Sequence, residues 1–301
     1  MTDSVVVVAG GLVGLGAAGV GAAAAAVAAR RDRPYLPGSH AEPAPQRRDP
    51  VAAALQHGYS SIGLAVGLDH DGTLRLATAG DEPGGPAFRD AVLAPLAARR
   101  RYPTTREPLS LLVELTTEPV ETYAILDADL RPYRHLLTRY ADGAVVPGAA
   151  TVPVTGPACP RKLMAAQHTR YAFVDGSMAD LESPGAPPDL VPLVSEHVAA
   201  RFGWDGRDEL PAEERHLLRV LVGAAHADGR RVRFHGVPDR QRAARLAFWR
   251  ELHAAGVDVI GSPDLAALAR FLRRSRLTKD ECSVNHLRAP RTEGTTAEGV
   301  A

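Results

Sequence analysis

Arg231-Val232-Arg233-Phe234-His235-Gly236-Val237-Pro238-Asp239 and, one helix later, Ala254-Ala255-Gly256-Val257-Asp258-Val259-Ile260 form the stretch that decides the architecture. Arg231 to His235 is a short apolar run of strand type, and Val257 to Ile260 is a second. Between them Arg240 to Ala255 carries helical spacing and is closed by Gly256. Strand, helix and strand in this order make a crossover unit with parallel strands. Outward from it, Pro211 to Asp228 reads as an amphipathic helix with Pro211 at its first position, Glu213 and Glu214 in the first turn and Gly229 as the stop. Asp264 to Arg273 is the helix on the other side.

The same alternation extends towards the N-terminus. Helical Pro50 to His57 precedes an apolar strand, Ser60 to Leu68, which an Asp71-Gly72 turn joins to Leu74-Arg75-Leu76. Pro86 to Arg101 and Val120 to Tyr140 have helical character, and Leu109 to Leu115 is the strongest strand of the chain. Further strands are expected at Thr151 to Thr155, Tyr171 to Val174 and Val191 to Val194. Apolar runs without clean alternation suit strands covered by helices on both faces. Repeated units of this kind give a doubly wound sheet or a closed barrel, and periodicity alone does not choose.

The 301 residues suffice for one large domain. With 35 basic and 35 acidic side chains the net charge is zero, so no electrostatic case exists for a nucleic-acid partner. Lysine occurs only at Lys162 and Lys279 and asparagine only at Asn285, a skew matching a GC-rich bacterial genome. Cys159 and Cys282 belong to no zinc pattern, and an isolated disulfide between them is conceivable in an exported chain.

Residues 1–33 form an apolar, signal-like segment, with no charge from Val5 to Ala29. Its length suits a membrane anchor or uncleaved signal. A dinucleotide site at Ala9-Gly10-Gly11-Leu12-Val13-Gly14 is disfavoured, because no second strand ending in an acid follows. Residues 34–50, rich in proline, read as a linker, residues 51–274 as the folded domain and residues 275–301 as a tail.

Gly58-Tyr59-Ser60-Ser61-Ile62, then Asp71-Gly72, Leu111-Leu112-Val113-Glu114-Leu115-Thr116 and the two stretches quoted above occur in this order. The series resembles the phosphatidylinositol-phospholipase-C-like phosphodiesterases, near the bacterial relatives of the "altered inheritance of mitochondria" group and similar to glycerophosphodiester phosphodiesterases. The resemblance runs from about residue 36 to 273 and implies a TIM (β/α)₈ barrel with its reactive groups at the carboxyl ends of the strands. It also implies a divalent cation held by a Glu-x-Asp pair, with two histidines moving protons at the phosphodiester.

Position by position, most of that apparatus is replaced. Ser39-His40-Ala41-Glu42 keeps the first histidine, with Glu42 as an acid close by. The Glu-x-Asp positions fall on Gly63 and Ala65, and the second histidine on Thr78 or Ala79. Glu114 remains on its strand, while the lysine that should follow is Thr116. One carboxylate and one imidazole do not make a hard-cation shell, so no cofactor is expected.

His40 and Glu42 are accordingly the candidate catalytic pair, and Glu114, Asp175 and His235 the candidate ligand-binding residues, each at a strand end. Ser195-Glu196-His197 lacks the elbow of a serine hydrolase. Asp69-His70-Asp71 has metal-like spacing but spans a hairpin turn. The expectation is a catalytically impaired phosphodiesterase barrel that binds a small anionic or polyol ligand, with residues 5–29 at a membrane. The alternative is a metal-independent phosphodiesterase or lyase using His40 with Glu42 or Glu114.

Overall fold

The strand–helix repeats close on themselves. The computed structural model describes residues 35–43, 49–78, 81–98, 108–182 and 186–286, with side chains as far as 276. In chain order the strands are β1 (Leu36–Ala41), β2 (Tyr59–Leu68), β3 (Leu74–Leu76), β4 (Leu109–Leu115), β5 (Arg139–Ala141) and β6 (Ala144–Val146). They continue with β7 (Ala150–Thr151), β8 (Pro153–Thr155), β9 (Phe173–Gly176), β10 (Leu193–His197), β11 (Arg231–His235) and β12 (Val259–Ser262). Parallel pairings run β1–β2–β4–β8–β9–β10–β11–β12 and return from β12 to β1. This is a closed eight-stranded (β/α)₈ barrel, with β7 and β8 together serving as one interrupted strand along β4. Strands β3, β5 and β6 lie outside the ring, β3 as the hairpin partner of β2 and β5–β6 as a separate hairpin.

The first barrel strand lies inside the stretch that composition marks as a linker. β1 contains Pro37 and Gly38, and its register against β2 shifts between Leu36 and His40. Proline is tolerated at such a bulge because its missing N–H breaks no regular ladder bond. Gly38 has φ 75, and a Cβ there would lie 2.9 Å from the Asp258 carbonyl oxygen. The barrel therefore begins at Leu36 rather than at residue 51. At the other end the last helix, Leu265–His286, continues beyond the expected start of the tail at 275.

Other boundaries shift by a few residues. The helix expected over Val120 to Tyr140 ends at Leu130, followed by a 3₁₀ turn and the β5–β6 hairpin. Pro119 opens it, and the Glu118 carboxylate accepts from the Val120 and Glu121 amides. The apolar segment at residues 5–29, Ala79, Arg99 to Arg101 and the Cys282 side chain lie outside the described residues. Among those described, no helix is long and apolar enough to cross a membrane.

The ends of the barrel are tied together by the final helix. The buried Tyr59 hydroxyl donates to the Leu265 carbonyl at 2.8 Å, and Arg273 donates to the His57 carbonyl at 2.9 Å. Tyr59→Phe should cost about 1 kcal/mol in urea unfolding, because a buried carbonyl loses its donor. An unchanged midpoint would show that water replaces the hydroxyl.

Candidate functional site

A cavity of about 510 Å³ opens at the carboxyl ends of the barrel strands. Its floor follows from strand alternation. Leu112, Leu193 and Val259 form a small buried cluster, two residues before Glu114, Ser195 and Gly261 on their respective strands. Each strand thus turns an apolar side chain into the barrel below the mouth and a polar residue or glycine above it. β11 differs in turning two polar side chains inward, Arg233 and His235, while Val232 and Phe234 pack outward among the helices.

His40, Glu42, Glu114, Asp175 and His235 all line this cavity. His40 is fully buried in β1, and its Nδ1 shares a 2.7 Å hydrogen bond with the Ser61 hydroxyl. Its Nε2 has no hydrogen-bond partner among the described residues and lies 3.7 Å from Glu42 Oε2. Burial lowers the pKa of His40, so the ring is neutral at pH 7. Burial opposes ionisation of Glu42, but His40 and the Arg233 guanidinium outweigh it and hold the carboxyl at about 2. Arg233 Nη2 donates to both Glu42 oxygens, at 3.2 and 3.1 Å.

Asp175 sits at the end of β9 between two hydroxyls. Thr155 Oγ1 donates to one carboxylate oxygen at 2.6 Å and Ser195 Oγ to the other at 2.7 Å. Burial still dominates and raises its pKa to about 6. His235 is half-buried and edge-on to His197, with ring centroids 5.2 Å apart. Burial, assisted by Arg233, lowers its pKa to about 4. Glu114 reaches the solvent at the rim.

Several lining residues were not singled out from the sequence. Arg233 is the chief of them, and Thr155, which donates to Asp175, is another. Arg161 also borders the cavity and pairs with Asp180. Cys159 is another wall residue, and burial pushes its thiol up to about 12. Ser195 serves Asp175 rather than a histidine, and His197 Nδ1 accepts from the Ala199 amide. No nucleophile–base pair forms there.

The donor set does not suit the divalent cation that the resemblance implies. On β2 the two expected positions are Gly63 and Ala65, and the Pro43 ring crowds the first: a Cβ on Gly63 would lie 2.7 Å from Pro43 Cδ. Glu42 is committed to Arg233, and Asp175 receives two hydroxyls. A hard cation wants six or more oxygens. Among the described residues, the group of three ligand side chains with all ligand atoms within 4.8 Å is Asp69, His70 and Asp71. It sits on the β2–β3 turn, where Asp69 instead accepts from Arg75 and the Asp71 and Thr73 amides.

No protein-family model matches this chain, and no curated protein sequence does. Among solved structures it is similar to a glycerophosphodiester phosphodiesterase from Agrobacterium tumefaciens str. C58, at 17% identity over 76% of this chain and 99% of that one, with a TM-score of 0.45. It is also similar to a glycerophosphoryl diester phosphodiesterase from Parabacteroides distasonis ATCC 8503, at 14% identity over 81% and 89%, with a TM-score of 0.47. The chemistry of the cavity rests on its own side chains.

Proposed function

We propose that the barrel mouth binds a small anionic or polyol ligand of the glycerophosphodiester type, and that cation-dependent hydrolysis of such a ligand is impaired. The observation that supports this is the Glu42–Arg233 pair, in which a cavity carboxylate is bound to a guanidinium and a buried cation lines the cavity wall. The hydroxyls of Thr155 and Ser195 beside Asp175 suit the alcohol part of such a ligand. Residues 5–29 would hold the barrel at a membrane.

The test is direct. Purified protein incubated with bis(4-nitrophenyl) phosphate and Mg²⁺, Ca²⁺ or Mn²⁺ should turn over no faster than a Glu114→Ala control. Glycerophosphocholine or an inositol phosphate should still raise its melting temperature. Metal-dependent turnover well above the control rejects impairment, and the absence of any ligand-dependent shift rejects binding.

A second reading draws on the vacant, neutral Nε2 of His40 facing the cavity. In that case His40 takes the proton of an attacking hydroxyl, with Glu42 or Glu114 as its acidic partner and no metal involved. His40→Ala would then abolish an activity that chelators leave intact.

A further inference from the structure

Two buried nitrogens at the mouth lack a hydrogen-bond partner among the described residues: His40 Nε2, which lies 3.7 Å from Glu42 Oε2, and Arg233 Nε. Their side chains are 0% and 8% exposed, and both border the same cavity. A guanidinium has five N–H donors, yet among the described residues Arg233 spends only Nη2, on the two oxygens of Glu42. Guanidinium geometry matches planar or tetrahedral oxoanions through two parallel bonds, an arrangement that Glu42 does not satisfy here.

Glycines on both neighbouring strands make room for the side chains at this point of the mouth. A Cβ on Gly261 of β12 would lie 2.0 Å from Glu42 Oε1. A Cβ on Gly63 of β2 would lie 3.1 Å from His40 Nε2. β12 thus places a glycine beside the Glu42 carboxylate, and β2 places one beside Pro43 and the His40 imidazole.

We infer that Arg233 anchors an oxoanion seat which Glu42 fills as an internal stand-in, and that a phosphate- or sulfate-type group binds by displacing Glu42. The incoming oxoanion takes Nη2 and Nε of Arg233, and His40 Nε2–H donates to a further oxygen while Ser61 donates to Nδ1. Glu42 swings out towards solvent, which its 23% exposed side chain already touches. The inference rests on the ligand-binding role proposed above and adds which charge recognises the ligand and what the ligand must expel. Oxoanion affinity is therefore set by competition with Glu42.

Calorimetric titration of inorganic phosphate and sulfate into the full chain, in Tris chloride, tests the exchange. Glu42→Gln keeps the shape but removes the competing charge, and should bind phosphate about tenfold or more tightly than the unaltered protein. The double variant E42Q/R233M removes both charges together; it should keep the circular dichroism spectrum of the unaltered protein and bind neither anion. Equal or weaker binding by Glu42→Gln overturns the inference, as does phosphate binding by the double variant. Glycerophosphocholine separates the two levels. If it shifts the melting temperature of the unaltered protein and of E42Q/R233M alike, ligand binding stands and the Arg233 seat falls. If Glu42→Gln binds phosphate while no organic ligand binds the unaltered protein, the seat stands and the proposed function falls.

Discussion

Asp175→Asn should make the protein more stable at pH 7, by up to roughly 3 kcal/mol. The carboxyl is buried, and its pKa is about 6 in the folded chain against an ordinary value of 3.8. Between those values the folded state keeps a proton that the unfolded state has released, so stability falls as pH rises through the window. Above pH 6 the penalty is fully developed, and two units of raised pKa correspond to roughly 3 kcal/mol. Asparagine carries no such penalty, and rotation of the Thr155 or Ser195 hydroxyl lets one of them accept from the new amide.

Urea unfolding of both proteins at pH 7.5 and 4.5 checks the sign. The advantage of Asp175→Asn should shrink to about 1 kcal/mol at pH 4.5. His40 and His235, whose lowered pKa values act in the opposite direction, are common to both proteins and cancel in the difference. A gap that does not change with pH would mean that Asp175 ionises normally.

Arg233→Met should be damaging where E42Q/R233M is not. Removing Arg233 alone leaves the Glu42 carboxylate largely buried without its counter-charge, a defect that costs about 3–5 kcal/mol at fully buried sites. The 23% exposure of Glu42 places this case at the low end, about 3 kcal/mol. Neutralising both partners removes the stranded charge, and an unbranched apolar side chain fills most of the guanidinium's volume. Denaturant midpoints of the single and double variants decide the matter. If the double variant is no more stable than Arg233→Met, the loss comes from packing and not from an unpaired charge.

Most of the βα repeats were legible from periodicity and caps. Pro211, Gly229 and Gly256 mark helix limits close to those observed, Ala212–Ala227 and Arg242–Ala254. β1 was not legible, because proline and glycine are ordinary signs of a loop. Here they sit at a register shift that only the neighbouring strands β2 and β12 make tolerable. The same misreading makes His40 look like a loop residue, although it is a fully buried strand residue.

Arg233 was missed for a different reason. Val232-Arg233-Phe234-His235 does alternate, but in a strand expected to be covered on both faces the alternation was given no meaning. Inside a closed barrel the two faces differ, one packing on helices and the other lining the interior. The polar half of this short run therefore points into the cavity at the barrel mouth. That signal was present and could have been used once a barrel was assumed.

By itself the sequence determined the order and kind of the elements, and the absence of carboxylates from Gly63 and Ala65, since both are local properties of side-chain pattern and identity. Only the tertiary structure decided that Glu42 faces Arg233, that Asp175 is wedged between two hydroxyls, and that Gly261 on β12 leaves the space that the Glu42 carboxylate occupies. These pairings join residues as many as 191 positions apart. Their energies depend on burial and distance in a low-dielectric interior, which no linear spacing encodes.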